Sequence, residues 1–367
     1  MRFRSQRRRA GNVLVLSAVM MAAMCAMLAF AVDLGYVFVG QTELRRTADS
    51  AAIAAASELL AERRQDAAAF AGPSSNVAAV ARQYAELNPV TRVGPGLADA
   101  DILVGTLADF HAPTSAIISN DPAGANTVEI RVRRTVEQNG EIPFFFARVL
   151  GFEGQSLTVS SRARFHSGFS GFRLTDSHKD FPILPFALDK ETWVAWKEQD
   201  CDLVPKYPLI NLFPQGTGAP GNRGTVNIGV FNNSTNVVRN QIYNGVTAEQ
   251  LAIHSDDPDQ LTMSEANPFV LTGNPGISAG FKSALDDIEG DTRLIPIFSE
   301  VKLQGSIAEY TIVKWINVKI GEVNLTGSMS SKRLMVRPTC RVMTGLIPAP
   351  PGESTMHYVF SPVQLIQ

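Results

Sequence analysis

The chain has 367 residues, 45% of them apolar and only 19% charged, and its 33 basic and 35 acidic groups leave a net charge of −2. That composition excludes a disordered chain, a collagen and a disulfide-dense miniature scaffold, and the length allows about two globular domains. Charge is segregated: Arg2, Arg4, Arg7, Arg8 and Arg9 open the chain without an acid among them, so the remainder is acidic and no nucleic-acid partner is expected.

From Val13 to Val32 the sequence is apolar and uncharged. At about 1.5 Å per residue this run matches a hydrocarbon core of roughly 30 Å, with Val13, Leu14, Leu16, Met20, Met24, Leu28 and Val32 as anchoring residues. Residues 1–12 form a basic tail that the positive-inside rule keeps cytoplasmic, which places everything after Asp33 on the far side, in the periplasm or outside the cell. A cleaved secretory signal ending near Ala29-Phe30-Ala31 and a buried core helix are the alternatives. Apolar residues resume at Leu34, Tyr36, Val37, Phe38 and Val39, which favours an uncleaved single-pass anchor. A carboxylate is costly in hydrocarbon, so Asp33 belongs at the outer interface.

Leu34 to Ala71 contains no proline and, after Gly40, no glycine, so the helix is expected to continue past the membrane. Val37, Leu44, Ala48, Ala51, Ala55 and Leu59 form one apolar stripe, suited either to the chain's own core or to packing on neighbouring subunits. Gly72-Pro73 ends the helix, and Ser74 or Ser75 caps a second one running to Leu87. Val128 to Val136 and Leu157 to Arg164 alternate as half-buried strands, with an Asn139-Gly140 turn and a short apolar helix over Phe144 to Leu150 between them. Residues 33–165 therefore read as an α+β module with a small antiparallel sheet packed on a long Ala-rich helix. The Ser/Gly-rich 166–175 reads as a linker, and 176–367 as a β-rich second domain. Its expected strands are Thr225 to Phe231, Tyr310 to Ile320 and Lys332 to Arg337; Thr247 to Gln250 is a capping box, and Phe281 to Ile288 a helix.

The stretches Arg7 to Gly11 (RRRAG), Val32 to Gly35 (VDLG), Gln41 to Ala56 (QTELRRTADSAAIAAA) and Phe144 to Ala163 resemble the TadE/TadG-like proteins of Flp (tight adherence) pilus assembly. Asn222 to Val230 and Asn236 to Gly245 resemble the later part of TadG-like members. The resemblance implies a bitopic inner-membrane protein with a pilin-like envelope domain, partnered by the bilayer, by other Tad/Flp pilus components and, as a candidate, by further copies in a homo-oligomer. Prepilin-like members carry a glutamate five residues after a glycine; if Gly11 is that glycine, Leu16 stands in the acid's place, which points to the TadG-like branch. The von Willebrand factor A metal motif of longer members has its nearest match at Thr326 to Ser330, with threonine where the cation needs a carboxylate, so no metal and no cofactor are expected.

Gly276 to Gly280 fits the G-x-S-x-G elbow of serine hydrolases, with Asp286, Asp287 and His357 downstream, but a Gly273-Asn274-Pro275 loop stands where a strand is needed. Gly216, Gly218 and Gly221 match a dinucleotide-type glycine pattern that Pro220 interrupts. The histidines His111, His166, His178, His254 and His357 lack zinc spacing, and the acids Asp256, Asp257, Asp259, Asp286, Asp287, Glu289 and Asp291 are candidates for calcium or for solvated surface. Cys25 falls in the span, while Cys201 and Cys340 would face an oxidising compartment as a candidate disulfide. The expectation is a non-catalytic pilus-assembly protein, with a membrane-tethered adhesin using the second domain, and a hydrolase centred on Ser278, as alternatives.

Overall fold

The computed structural model describes residues 11–65, 76–119, 124–175, 180–196, 209–212, 224–229, 234–264, 267–274, 278–304, 307–328, 331–350 and 352–366. One helix, α1, runs unbroken over Gly11–Gln65. At 1.5 Å per residue it is about 80 Å long. Its first part is bare: Val13, Leu14, Leu16, Met20, Met24, Leu28 and Val32 are all exposed, and none of the helix's most apolar window is buried, so this is not a core helix. It is long and apolar enough to cross a membrane.

From Leu44 onward one face of α1 is fully buried, and Leu44, Ala48, Ala51, Ala55 and Leu59 lie in the chain's own core with Val37 packed at its edge. The stripe therefore faces inward and is not open to neighbouring subunits. The second helix, α2, spans Asn76–Leu87 and lays Val77, Ala78, Ala81 and Ala85 against α1. Small side chains on both surfaces let the two axes approach closely. The expected caps Ser74 and Ser75 lie outside the described residues.

The other side of α1 is covered by an antiparallel sheet in the order Ile117–Ile118, Ile102–Leu107, Thr127–Arg134, Leu157–Arg164, Gln364–Ile366. Val128, Ile130, Val132 and Ala163 point into the core. Glu129, on the opposite face of its strand, is held by Arg162 at 2.7 Å and Arg131 at 3.3 Å. The fifth strand follows the whole β-rich part in sequence, so the boundary expected at 165 does not separate two sequential modules: residues 364–366 return to extend the first sheet.

The linker expected at 166–175 is also corrected. Phe169–Arg173 is a strand between Gln260–Thr262 and Leu346–Pro348, and Phe169 and Phe172 are buried. Serine and glycine suggested a loop there, but the burial of both phenylalanines between the two neighbouring strands outweighs that composition.

The β-rich part is built on the antiparallel pair Thr292–Gln304 and Ile307–Asn324, flanked by Phe269–Asn274 and Arg333–Pro338. Leu294 and Ile295 are chain neighbours that enter different cores, so this sheet is buried on both faces. Trp193 and Trp315, with Phe181 and Phe186, fill those cores.

Candidate functional site

The chemistry that distinguishes this chain lies where α1 leaves its bare apolar stretch. Asp33 follows directly on the uncharged run, and its side chain is only 4% exposed. One carboxylate oxygen accepts from the N–H of Phe145 at 2.6 Å and of Phe146 at 3.2 Å; the other accepts from Phe146 at 3.1 Å and Ala147 at 2.7 Å. These amides open the short 3₁₀ helix Ala147–Leu150, which has no side-chain cap of its own and ends at Gly151 in the left-handed conformation. Helix N-termini carry unsatisfied donors and a positive dipole end, so a carboxylate supplied from elsewhere in the chain satisfies both needs. One turn further along α1, the Tyr36 ring meets Phe145 edge-on at 4.9 Å.

Above this point α1 is fastened by a series of polar ties. A Cβ at Gly40 would stand 3.0 Å from the Ile142 Cδ1, so this mid-helix glycine marks a close approach of Ile142 and Thr91. Glu43 accepts from the Thr91 N–H at 2.6 Å, and Thr47 donates to the carbonyls of Glu43 and Asn88 at 2.8 Å each. Thr91 and Arg92 both have positive φ in the tight Val90–Val93 turn, an uncommon conformation for side-chain-bearing residues. Arg134 binds the same turn from the other side, donating to the Val90 carbonyl at 2.7 Å and the Thr91 hydroxyl at 3.0 Å, and its Nε donates to the Gly140 carbonyl at 2.7 Å. Asp49 accepts from the Ser161 hydroxyl at 2.6 Å, and Arg63 donates to the Ala125 carbonyl at 3.1 Å. Glu43 and Asp49 lie off the apolar stripe, and together with Asp33, Thr47 and Arg63 they join the helix to loop and sheet. A lone acid directly after an apolar run was the signal for Asp33, but nothing local named Phe145 as its partner.

The other sequence candidates are not brought together. Ser278 is exposed, and its hydroxyl accepts from the Gly280 N–H at 3.1 Å as a helix cap. Asp286 pairs with Lys282, Asp287 accepts from the Tyr243 hydroxyl at 2.7 Å, and His357 lies against the Trp193 ring. No hydrolase triad is assembled from these residues. Among the described residues no group of three or more histidine, cysteine, aspartate or glutamate side chains is placed to hold a metal. The glycine pattern at 216–221 and His178 lie outside the described residues. Cys340 is buried and disulfide-bonded and Cys25 is free; Cys201 lies outside the described residues. The capping box forms as expected, Gln250 N–H to Thr247 and Thr247 N–H to Gln250, both at 3.1 Å. A cleft of about 380 Å³ is lined by Arg45 and Asp49 of α1 and by Glu129 and Arg162 of the first sheet, the last two already paired with each other at 2.7 Å.

Residues 11–58 match the family model described as "Putative Flp pilus-assembly TadE/G-like". The match covers α1 from its start through Asp33, Gly40 and most of the stripe, so the TadE/TadG-like resemblance holds over that segment. No curated protein and no solved structure matches the chain.

Proposed function

We propose that this chain, with its TadE/G-like N-terminal segment, is a single-pass inner-membrane protein of a Tad/Flp-type pilus or secretion system. Its arginine-rich tail lies in the cytoplasm and its body in the periplasm or outside the cell. Its task is non-catalytic: it organises assembly or attachment through contacts of the body with other Tad components. The observation that carries this reading is the continuity of α1. The segment that matches the family is at once the apolar span and a seam of the body's core, so one continuous helix joins anchor and body. A pilin-like character is supported by the sheet packed on that helix, and a Cys201–Cys340 bridge is part of the same proposal, since it suits an oxidising compartment.

Cysteine-accessibility labelling tests the topology. In cells with a permeabilised outer membrane and Cys25→Ala as background, an impermeant maleimide is expected to label Ile53→Cys from outside and Ser5→Cys only after lysis. The reverse pattern would overturn the orientation. Co-purification of the tagged chain with other Tad proteins from solubilised membranes, and loss of pili on its deletion, test the assembly role; piliation unchanged without the protein would sink it.

A further inference from the structure

We propose that the Phe144–Phe152 loop is a second membrane contact, seated in the headgroup and acyl boundary of the leaflet from which α1 emerges. This rests on the membrane-anchor reading above. Three observations carry it. First, the loop turns its apolar side chains outward: Val149 is 89% exposed, Leu150 77% and Phe152 63%, with Phe145 and Phe146 at least half exposed. A cluster of this kind on a protein surface marks a surface that something apolar covers.

Second, the loop has one fixed position along the helix. Four hydrogen bonds from three consecutive amides hold it to Asp33, and Tyr36 packs on Phe145. From Val13 to Asp33 the helix rises about 30 Å, the thickness of the hydrocarbon core, so the clamp sets the loop at the outer boundary. Third, the free face of α1 stays apolar and exposed beyond Asp33, at Leu34, Phe38 and Val39, before Gln41, Thr42 and Arg45 begin the polar surface. Loop and helix together form an apolar collar continuous with the lipid-facing surface of the span. Lipid is the occupant because the bilayer that covers the span reaches this level without any further partner.

The charges agree. The Phe144–Phe152 stretch contains no acid and one base, the exposed Arg148, which is placed to reach lipid phosphates while its neighbours enter the acyl region. The Asp33 carboxylate is turned inward onto backbone amides and adds no free charge to the collar, while the exposed Glu153 stands directly after Phe152, outside the stretch. Two contacts on one rigid body fix the tilt of that body on the membrane, which a lone helix does not.

The test uses the full chain with Cys25→Ser, reconstituted in vesicles of phosphatidylcholine and phosphatidylglycerol, with an environment-sensitive fluorophore on Leu150→Cys, Val19→Cys or Ile53→Cys. Lipids carrying a spin label near the headgroup are expected to quench the fluorophore at 150 several-fold more than at 53, and its emission to shift to the blue. Lipids labelled deep in the chain should quench at 19. Absence of quenching at 150 while 19 is quenched would overturn the loop contact and leave the anchor standing. Absence at both would remove the anchor and the loop together. Cross-links between copies through position 150, with no lipid quenching there, would assign the patch to another protein and equally refute the proposal.

Discussion

Asp33 and Phe145 are 112 positions apart in the chain and are joined by a 2.6 Å hydrogen bond from the Phe145 amide to the Asp33 carboxylate. Through it, the residue that ends the apolar run also caps a short helix in the body. The end of the apolar run and the start of the folded body are therefore one structural unit.

Replacing Asp33 by alanine removes the acceptor for three amides at once, and those amides have no substitute on their own segment. Hydrogen exchange of the full chain in detergent should show the Phe145, Phe146 and Ala147 amides exchanging at least about ten-fold faster, while amides of Thr127–Arg134 are unchanged. Unaltered protection at Phe145–Ala147 would show that the clamp does not hold the loop.

Gly40 is a test of close packing against helix propensity. Alanine gains up to about 1 kcal/mol of propensity, while the Ile142 side chain, with Cδ1 at 3.0 Å and Cγ1 at 3.3 Å, must give by a few tenths of an ångström, so Gly40→Ala should be near neutral. Gly40→Leu cannot be accommodated against the buried Ile142 and should cost about 1–3 kcal/mol in urea unfolding of the detergent-solubilised chain. A Leu variant as stable as the parent would contradict the close approach.

The inward stripe predicts a contrast along α1. Leu59 is fully buried, and Leu59→Ala should destabilise by about 2–5 kcal/mol, whereas Ile53→Ala, at an exposed position, should stay within about 0.5 kcal/mol. Equal effects at both positions would mean that the stripe is covered by something other than the chain's own core.

Two histidines make the body acid-sensitive. Burial, assisted by the neighbouring Arg164 charge, pushes His166 down to about 4, and burial also lowers His254, whose Nε2 accepts from the Gly229 N–H at 2.8 Å and must be neutral to do so. In the unfolded chain both take up protons near the ordinary value of about 6.5. For His166 the unfolded state thus binds more protons between that value and about 4. Stability is full above pH ~6.5, falls as the pH drops through this window, and flattens below about 4 for His166. His166→Gln should make the fall in urea midpoint between pH 7 and 4.5 shallower; an unchanged slope would remove His166 as the cause.

Legibility in the sequence varied with the range of the interaction involved. The span, the continuation of α1 and the strands Thr127–Arg134 and Leu157–Arg164 were readable because period and composition are properties of a few consecutive residues. Ile102–Leu107, Thr292–Gln304 and the helix Thr235–Asn244 were missed; in Thr292–Gln304, residues such as Leu294 and Ile295 are buried on opposite faces and leave no alternation to read. The Ser/Gly-rich linker at 166–175 was misread because its composition speaks for a turn while the burial of Phe169 and Phe172 is decided by strands from far along the chain.

The sequence by itself determined the apolar run, the basic residues before it and the helical character of Val13 to Gln65, since charge, hydropathy and propensity act locally. Only the tertiary structure decided that the stripe turns into the chain's own core, that Asp33 caps a helix more than a hundred residues away, and that Gln364–Ile366 closes the first sheet. Each of those outcomes depends on which distant backbone donor or apolar face reaches a residue first and fits it, and a local pattern carries no record of that partner.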